Sequence, residues 1–383
     1  MDFNRRRMLQ AFLAVPLTLS VTPKAAEPWR RHLVLVELNG GNDGLNTVVP
    51  YADPLYYEMR PSLALSQDQV LPLNERLGLH PGLEELMPLW SDRHIAIALG
   101  VGYSHPNLSH FRSIEIWETA TSSKTYADEG WLVRLFKERM PPLGLPAHAV
   151  VLGRNDPGPL AGEGVRVVAL KNLKTLRKRK SKSFLTLLDQ ANPLLSHVVE
   201  VQNRMDLAEQ RLIKKRFDNV SLVGKFPNHN FGAQMETAAK LIVGESGIPI
   251  IKCSLGSFDT HAGQAARHGR LMEKLAGGLS SFTQAIKSGG KWDDTLIMTY
   301  SEFGRRPREN ASGGTDHGTA APHFILGGRV KGGFFGEQPP LARLDGLNLA
   351  YRLDFRALYA TIARRWLGLE APFLELKALP ILA

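Results

Sequence analysis

The sequence contains very little cysteine, since Cys253 is the one thiol in 383 residues. A single thiol excludes an intramolecular disulfide framework and any metal or iron–sulfur centre built from cysteines. The sequence also lacks a Gly-x-Gly-x-x-Gly motif after a predicted strand, which disfavours a dinucleotide-dependent redox enzyme. It has no internal repeat and no recognisable nucleic-acid-binding motif, so nucleic acid is not an expected partner.

What is present is the composition of a globular enzyme. Hydrophobic residues make up 43% of the chain and charged residues 22%, unlike disordered, collagen-like or multi-span membrane proteins. The length suffices for one large α/β domain or for two ordinary domains. The formal net charge of +10 favours anionic small molecules or polymers as partners.

Residues 1–26 are predicted to form an export signal. Arg5, Arg6 and Arg7 precede an apolar stretch at residues 11–21, which Pro16 interrupts. This order is typical of secretory signals, and the stretch is too short to span a membrane stably. The paired arginines resemble a twin-arginine signal. They predict the twin-arginine export machinery as a partner and the periplasm or the cell exterior as the destination. The alternative is a basic tail without such a role.

From residue 31 onward, apolar runs alternate with longer amphipathic stretches. Predicted strands lie at residues 32–38, 95–101, 149–152, 165–170, 248–253, 295–300 and 323–326. Predicted helices lie at residues 109–118, 130–139, 231–243, 264–288 and 353–367. Apolar strands that alternate with helices predict an α/β fold with a mostly parallel sheet covered on both faces.

Residues 171–230 differ from the rest and are interpreted as a basic helical insertion. The run at 171–182 holds seven basic residues and no acid, and an amphipathic stretch follows at about residues 194–217. A basic run is most often a solvated surface. The functional alternative is attraction of an anionic substrate or contact with a membrane surface through the local field.

Residues of the types that bind metals or activate substrates flank the predicted strands. They are Asp43, Ser109, Asp259, His261, Glu302, Arg305 and His317. Ligands of such sheets bind at the carboxyl ends of strands, so these side chains are expected to converge. Carboxylates and imidazoles without sulfur suit zinc or manganese. Two ions about 4 Å apart would clamp an anionic ester, and Arg305 would hold a tetrahedral oxyanion.

All of these residues except His317 also have a structural explanation. Asn-Asp-Gly around Asp43 is a turn sequence, and Ser109 can cap the following helix. Glu302 can pair with Arg305, and Asp-Thr-His at 259–261 can form a local hydrogen bond. The joint placement of these residues at successive strand ends is what favours a site.

Several motifs together resemble the bacterial domain-of-unknown-function family DUF1501, which is grouped with the alkaline phosphatase-like superfamily. They are Gly-Gly-Asn-Asp-Gly-Leu-Asn-Thr-Val-Val-Pro-Tyr at 40–51, Gly-Val-Gly-Tyr at 100–103, Ser-His-Phe at 109–111, Asp-Thr-His at 259–261, Ser-Glu-Phe-Gly-Arg at 301–305 and Gly-Thr-Asp-His-Gly-Thr-Ala-Ala-Pro at 314–322. The resemblance spans about residues 31–370. It implies an α/β/α sandwich, a metal-dependent hydrolase site and export by the twin-arginine route.

The resemblance also implies a role for each candidate. Asp43 is similar to the superfamily's first-strand aspartate, a ligand of the second metal, and Ser109 to its hydroxyl nucleophile. Asp259, His261 and His317 look like ligands of the first metal.

Two departures from the superfamily pattern affect the metal prediction. One residue instead of three separates Asp259 from His261, and the late-strand Asp-His pair of the superfamily falls on Glu302-Phe303. Phe303 cannot bind a metal, so the resemblance implies either one ion or two at the site. An oxygen-rich site through Glu302 would shift the preference from zinc towards calcium, magnesium or manganese.

These observations lead to two hypotheses of function. The first is an exported metal-dependent hydrolase of phosphate or sulfate esters, in which Ser109 is the nucleophile. The alternative is a non-catalytic periplasmic binding or assembly protein on the same fold. Bound metal and turnover of chromogenic esters would distinguish the two.

Overall fold

A computed structural model describes residues 28–142, 144–170 and 217–383. The predicted signal at 1–26 and the basic run at 171–182 lie outside the described residues, as does the predicted insertion up to residue 216. Both interpretations therefore remain predictions. No helix in the described part of the chain is long and apolar enough to cross a lipid bilayer.

The strands and helices of the described ranges are as follows. The strands are β1 (His32–Leu38), β2 (Val48–Val49), β3 (Leu71–Pro72), β4 (Gly78–Leu79), β5 (Ile95–Gly102), β6 (Ala149–Leu152), β7 (Val167–Leu170), β8 (Ile250–Leu255), β9 (Thr295–Tyr300), β10 (Arg305–Glu309), β11 (Thr315–His317), β12 (Ala321–Gly327), β13 (Gly333–Gly336), β14 (Leu344–Asp345), β15 (Asn348–Leu349) and β16 (Leu353–Asp354). The α-helices are α1 (Gly44–Thr47), α2 (Pro54–Met59), α3 (Met87–Ser91), α4 (His110–Thr119), α5 (Trp131–Glu138), α6 (Asn230–Val243), α7 (Gln264–Ser288) and α8 (Phe355–Thr361). Short 3-10 turns lie at Pro28–Arg30, Pro81–Leu86, Gly158–Leu160, Phe217–Asn219 and Trp292–Asp294, and a π-helical turn, Ile362–Trp366, continues α8.

The central sheet has nine strands and is mostly parallel. Its order is β13-β5-β12-β9-β1-β8-β6-β7. The ninth strand, β16, pairs with the last two residues of β5, Val101 and Gly102, which follow the part of β5 that pairs with β13. All neighbouring pairs are parallel except those of β12, which runs antiparallel to both β5 and β9. The predicted parallel sheet is therefore confirmed, with one reversed strand that the apolar pattern did not distinguish.

Helices cover both faces of this sheet. Every residue of β1 is therefore buried. Val34 and Val36 pack on one face with apolar residues of α6 and α7. Leu33 and Leu35 pack on the other with residues of α4, α5 and α8. Successive side chains of a strand point to opposite faces, so two apolar layers per strand require two helical layers. The result is the expected three-layer α/β/α sandwich.

The observed boundaries follow the predicted ones within a few residues, and the deviations have local causes. β8 begins at Ile250 instead of 248, because Pro249 has no N–H to donate and the ladder to β1 starts at the Leu33–Ile250 pair. The predicted helix at 353–367 is divided. Its first two residues pair with β5 as β16, and Asp354 then caps α8 by accepting a hydrogen bond from the Arg356 N–H.

Candidate metal centre

The loops after β1, β8 and β9 are linked to one another by hydrogen bonds at the carboxyl edge of the sheet. The Asn39 N–H donates to the Leu255 carbonyl at 3.0 Å, and the Phe258 N–H donates to the Asn39 carbonyl at 3.2 Å. The Gly40 N–H donates to Glu302 Oε1 at 2.8 Å. These bonds give the polar residues of three distant segments one fixed arrangement.

Three side chains from separate elements meet at this edge. His110 begins α4, Asp259 follows β8, and His317 ends β11. Each offers one ligand atom, and these atoms lie within 4.8 Å of one another. His317 Nε2 is 3.3 Å from Asp259 Oδ1, and His110 Nε2 is 3.5 Å from Asp259 Oδ2. The structure thus brings together the predicted Asp259 and His317, with His110 as an additional member.

The two imidazoles are oriented through their other ring nitrogens. His110 Nδ1 lies 2.9 Å from the carboxylate of Glu302, and His317 Nδ1 lies 2.8 Å from the carbonyl of Leu108. Both partners accept hydrogen bonds, so the proton of each neutral ring is on Nδ1 and the lone pair is on Nε2. A histidine anchored in this way is the usual form of a metal ligand.

His261 adds a fourth donor at the rim of this cluster. Its Nε2 is 3.0 Å from Asp259 Oδ1 and 3.0 Å from His317 Nε2. Its Nδ1 lies 3.6 Å from a carboxylate oxygen of Asp316. The single-residue spacing of Asp259 and His261, a departure from the superfamily pattern, still places the two side chains together. We refer to His110, Asp259, His261 and His317 as the histidine cluster.

The protonation states of Asp259 and His317 suit a cation. Burial opposes ionisation of Asp259, but the hydrogen bond and charge of Arg305 outweigh it and lower the pKa of this carboxyl to about 2. Desolvation lowers the pKa of His317, whereas the hydrogen bond to Glu302 raises the pKa of His110. At neutral pH Asp259 is therefore an anion and His317 is neutral, which are the forms that bind metal.

The donor separations also fit a tetrahedral ion. Metal–ligand bonds of about 2.0–2.1 Å imply ligand–ligand separations of about 3.3 Å in a tetrahedron. His317 Nε2 lies 3.3 Å from Asp259 Oδ1, and His110 Nε2 lies 3.5 Å from Asp259 Oδ2. Two imidazoles and one carboxylate, with His261 at the rim, suit zinc or manganese. The set is nitrogen-rich, so it disfavours the calcium or magnesium alternative, which depended on an oxygen-rich site.

His110 is the member that sequence reasoning missed, although it stands beside Ser109 in a motif already identified. Phe303 packs against both His110 and His317, with ring centroids 4.9 and 4.6 Å apart. His110 on α4 thus places an imidazole beside Phe303. A histidine at the first position of a helix that follows a buried strand was the available signal.

Asp43 does not join the cluster, contrary to the prediction that it binds metal. Its carboxylate is fully buried and forms a two-pronged ion pair with Arg60, at 2.6 and 2.9 Å. Its oxygens also accept hydrogen bonds from the Leu45 N–H and from the Gln264 side chain. With both oxygens bound by protein groups, Asp43 caps α1 and links it to α7 through Gln264.

Arg305, predicted to hold a tetrahedral oxyanion, directs its guanidinium to groups of the protein in this structure. Its side chain is completely buried, and all three guanidinium nitrogens donate to protein acceptors. These acceptors include the carbonyls of Gly41 and Thr315 and, at 2.7 Å, Asp259 Oδ1. The second N–H group of Nη1 points towards His261 Nε2, at 3.5 Å. The residue holds Asp259 in place and lowers its pKa.

Glu302 was predicted to bind the metal, but it lies behind His110, on the side of the ring away from Asp259. It is buried, and its Oε1 accepts from the Gly40 N–H and faces His110 Nδ1. Replacing it by glutamine is expected to weaken zinc binding about 10–100-fold, because an orienting carboxylate behind a histidine ligand has that effect. The measurement is a competition titration of zinc against a chelator. Unchanged affinity would show that His110 is not a ligand oriented by Glu302.

Ser109 lies where the sequence predicts it, at the N-cap of α4. It is exposed, and its side chain does not cap the helix. Its neighbours are both tied to the cluster, Leu108 through its carbonyl and His110 through its ring. The hydroxyl is therefore free of the capping role that was its structural explanation.

Gly40 allows the first loop to approach Asp259 closely. Its φ is +117°, and a Cβ there would lie 2.5 Å from the Asp259 nitrogen. Gly40→Ala is expected to destabilise the protein by about 1–3 kcal/mol and to weaken metal binding, because Asp259 must move. The control is Gly290→Ala, where φ is +66° but the space is open. Equal urea midpoints and equal zinc affinities for the two variants would contradict this role.

Comparisons with known proteins give one family and several distant structures. The lipoteichoic acid synthase LtaP from Listeria monocytogenes has a TM-score of 0.37 at 10% identity, covering 90% of this chain and 73% of its own. A phosphonate monoester hydrolase from Silicibacter pomeroyi has a TM-score of 0.37 at 14% identity, covering 91% and 76%. A protein in the alkaline phosphatase superfamily from Vibrio parahaemolyticus has a TM-score of 0.36 at 12% identity, covering 80% and 62%. None of the curated proteins matches the chain. The family model described as protein of unknown function (DUF1501) matches residues 96–369.

Proposed function

The chain belongs to the DUF1501 family, and we propose that it is an exported, metal-dependent hydrolase of phosphate or sulfate esters. The observation that carries the proposal is the histidine cluster, in which two anchored imidazoles turn Nε2 towards one ionised carboxylate. A structural role alone does not require three imidazoles and a carboxylate at the partly exposed carboxyl edge of a sheet. We propose zinc or manganese as the ion, and one ion per cluster.

The ion would supply Lewis acidity towards the phosphoryl or sulfuryl group of the substrate. The chain's own residues would orient the reactants. Ser109 Oγ would attack the phosphorus or sulfur atom, the alcohol would leave, and water would then cleave the resulting seryl ester. The N-terminus of α4, a ten-residue helix, would favour the negative charge that develops beside Ser109.

The net positive charge of the protein would help to gather an anionic substrate. Export by the twin-arginine machinery to the periplasm or beyond, and contact of residues 171–182 with a membrane surface, belong to the same proposal. They rest on the sequence pattern of residues outside the described ranges.

The proposal is tested by metal analysis of the purified protein and by turnover of 4-nitrophenyl phosphate and 4-nitrophenyl sulfate. Ser109→Ala is expected to lower kcat at least about 100-fold, since the nucleophile is removed, and to keep the bound metal. Ser280→Ala on α7 is the control. Equal kcat for Ser109→Ala and wild type would exclude the serine mechanism, and a metal-free, inactive wild type would favour the non-catalytic alternative.

A further inference from the structure

A separate cavity of about 520 Å³ is lined in part by the segment that follows β8 and leads to Asp259. Its walls come from the segments that follow β6 and β8, from the start of α6 and from one side of α7. This volume lies within the usual range of small-molecule sites, about 300–1,000 Å³. The cavity is therefore large enough for a sugar or for another group of that size.

The charges around the cavity all have the same sign. Arg154, Arg267, Arg270 and Lys274 line it, and its lining contains no aspartate or glutamate. Within residues 28–142, 144–170 and 217–383, none of these four cations forms a salt bridge. Residues 267, 270 and 274 are spaced so that they share one face of α7. Cations that converge without a carboxylate to neutralise them favour an anionic ligand.

Two neutral features of the cavity point to the same ligand. His229 Nδ1 accepts a hydrogen bond from the Gly232 N–H at 3.0 Å, so the ring proton is on Nε2 and remains available as a donor. The first residues of α6, a 14-residue helix, also line the cavity. The positive end of that helix adds to the attraction for an anion.

The cavity adjoins the histidine cluster along the chain. Ser257 lines the cavity, and Asp259 of the cluster is two residues further on. Two residues span at most about 7 Å. The backbone at Ser257 is therefore separated from the backbone at Asp259 by less than the length of a disaccharide.

We propose that this cavity is an oxyanion subsite, which binds a second sulfate or phosphate group of the substrate whose ester is cleaved at the histidine cluster. The inference rests on the proposed function and narrows it. The substrate is then a polyanion, with several sulfate or phosphate groups on one molecule. The side chains that bind the second group are Arg267 and Arg270 from α7, with Arg154 and Lys274 beside them.

The first test measures binding without turnover. Sucrose octasulfate is titrated by calorimetry at fixed ionic strength into wild type and into the double variant R267Q/R270Q. The control is K331Q/R343Q, which removes the same charge from exposed positions elsewhere. The pocket variant is expected to bind at least tenfold more weakly, while the control variant binds as wild type does. Equal affinity of the pocket and control variants would overturn the proposal.

The second test links the cavity to the histidine cluster. Sucrose octasulfate is expected to inhibit wild-type turnover of 4-nitrophenyl phosphate, with an inhibition constant that rises at least tenfold in R267Q/R270Q. The KM for 4-nitrophenyl phosphate itself, which has one anionic group, is expected to stay unchanged. If wild type and R267Q/R270Q both turn over the substrate and are inhibited equally, the subsite is overturned and the proposed function stands. Selective binding by the cavity in a protein without turnover would overturn the proposed function and retain the anion site.

Discussion

Replacing His317 with alanine is expected to reduce zinc affinity by at least about 100-fold and to reduce turnover to the background rate. The alanine variant loses a donor to the ion, which weakens binding more than loss of an orienting partner does. It also frees the Leu108 carbonyl, which accepts from His317 Nδ1 beside Ser109. Competition titration with a chelator and steady-state assays of 4-nitrophenyl phosphate measure the two effects.

The fold is expected to tolerate this change, since the His317 side chain is about a quarter exposed, at 23%. The control is His94→Ala. His94 precedes β5 at the opposite edge of the sheet and packs against Trp292. Wild-type zinc affinity in the His317 variant, or an equal loss in the His94 variant, would contradict a metal centre at His317.

Replacing Arg60 with alanine is expected to lower the free energy of unfolding by about 3–5 kcal/mol, because it leaves the buried Asp43 carboxylate without its counter-charge. Both side chains of this ion pair are fully buried. Arg60 also donates to the carbonyls of Pro307 and Arg306, at 2.7 and 3.1 Å. The change therefore also detaches the end of α2 from β10. Urea denaturation measures the loss.

The control for Arg60 is an exposed ion pair of similar length. Lys137 Nζ lies 2.6 Å from Glu129, and its side chain is more than half exposed. Lys137→Ala is expected to cost less than about 1 kcal/mol. The double variant Asp43→Asn/Arg60→Met should be more stable than the sum of the single losses implies, since it buries no unpaired charge. Equal losses for Arg60→Ala and Lys137→Ala would show that the ion pair is not the structural link described above.

Much of the sheet could be predicted because its long strands are mostly apolar runs bounded by polar residues, glycine or proline. β1 and β9 are buried on both faces, so their residues are mostly apolar and composition alone locates these strands. The reversal of β12 could not be predicted in the same way. A fully buried strand is apolar along its whole length whether it runs parallel or antiparallel to its neighbours. Its direction depends on the connection that precedes it.

The candidate site was only partly predictable from motifs. Asp259, His261 and His317 follow or end strands, and the rule that such residues meet at one sheet edge was enough to group them. The roles of Asp43 and Arg305 depended on partners that no local pattern reveals. Arg60 lies after a short helix, and the acceptors of Arg305 are mostly backbone carbonyls of distant loops.

The basic cavity was missed for a related reason. Its cations are dispersed over two segments that are more than a hundred residues apart, Arg154 after β6 and the other three on α7. The charge run at 171–182 is more conspicuous in the sequence. Convergence in space, and not density along the chain, identifies the cavity as the stronger candidate for anion binding.

The most direct measurement is a diffraction experiment at the zinc absorption edge on crystals of the protein purified with zinc. The account predicts an anomalous peak about 2.0–2.2 Å from a carboxylate oxygen of Asp259 and from Nε2 of His110 and His317. A zinc-saturated crystal with no peak among these side chains, or with its peak at Asp43, would contradict it.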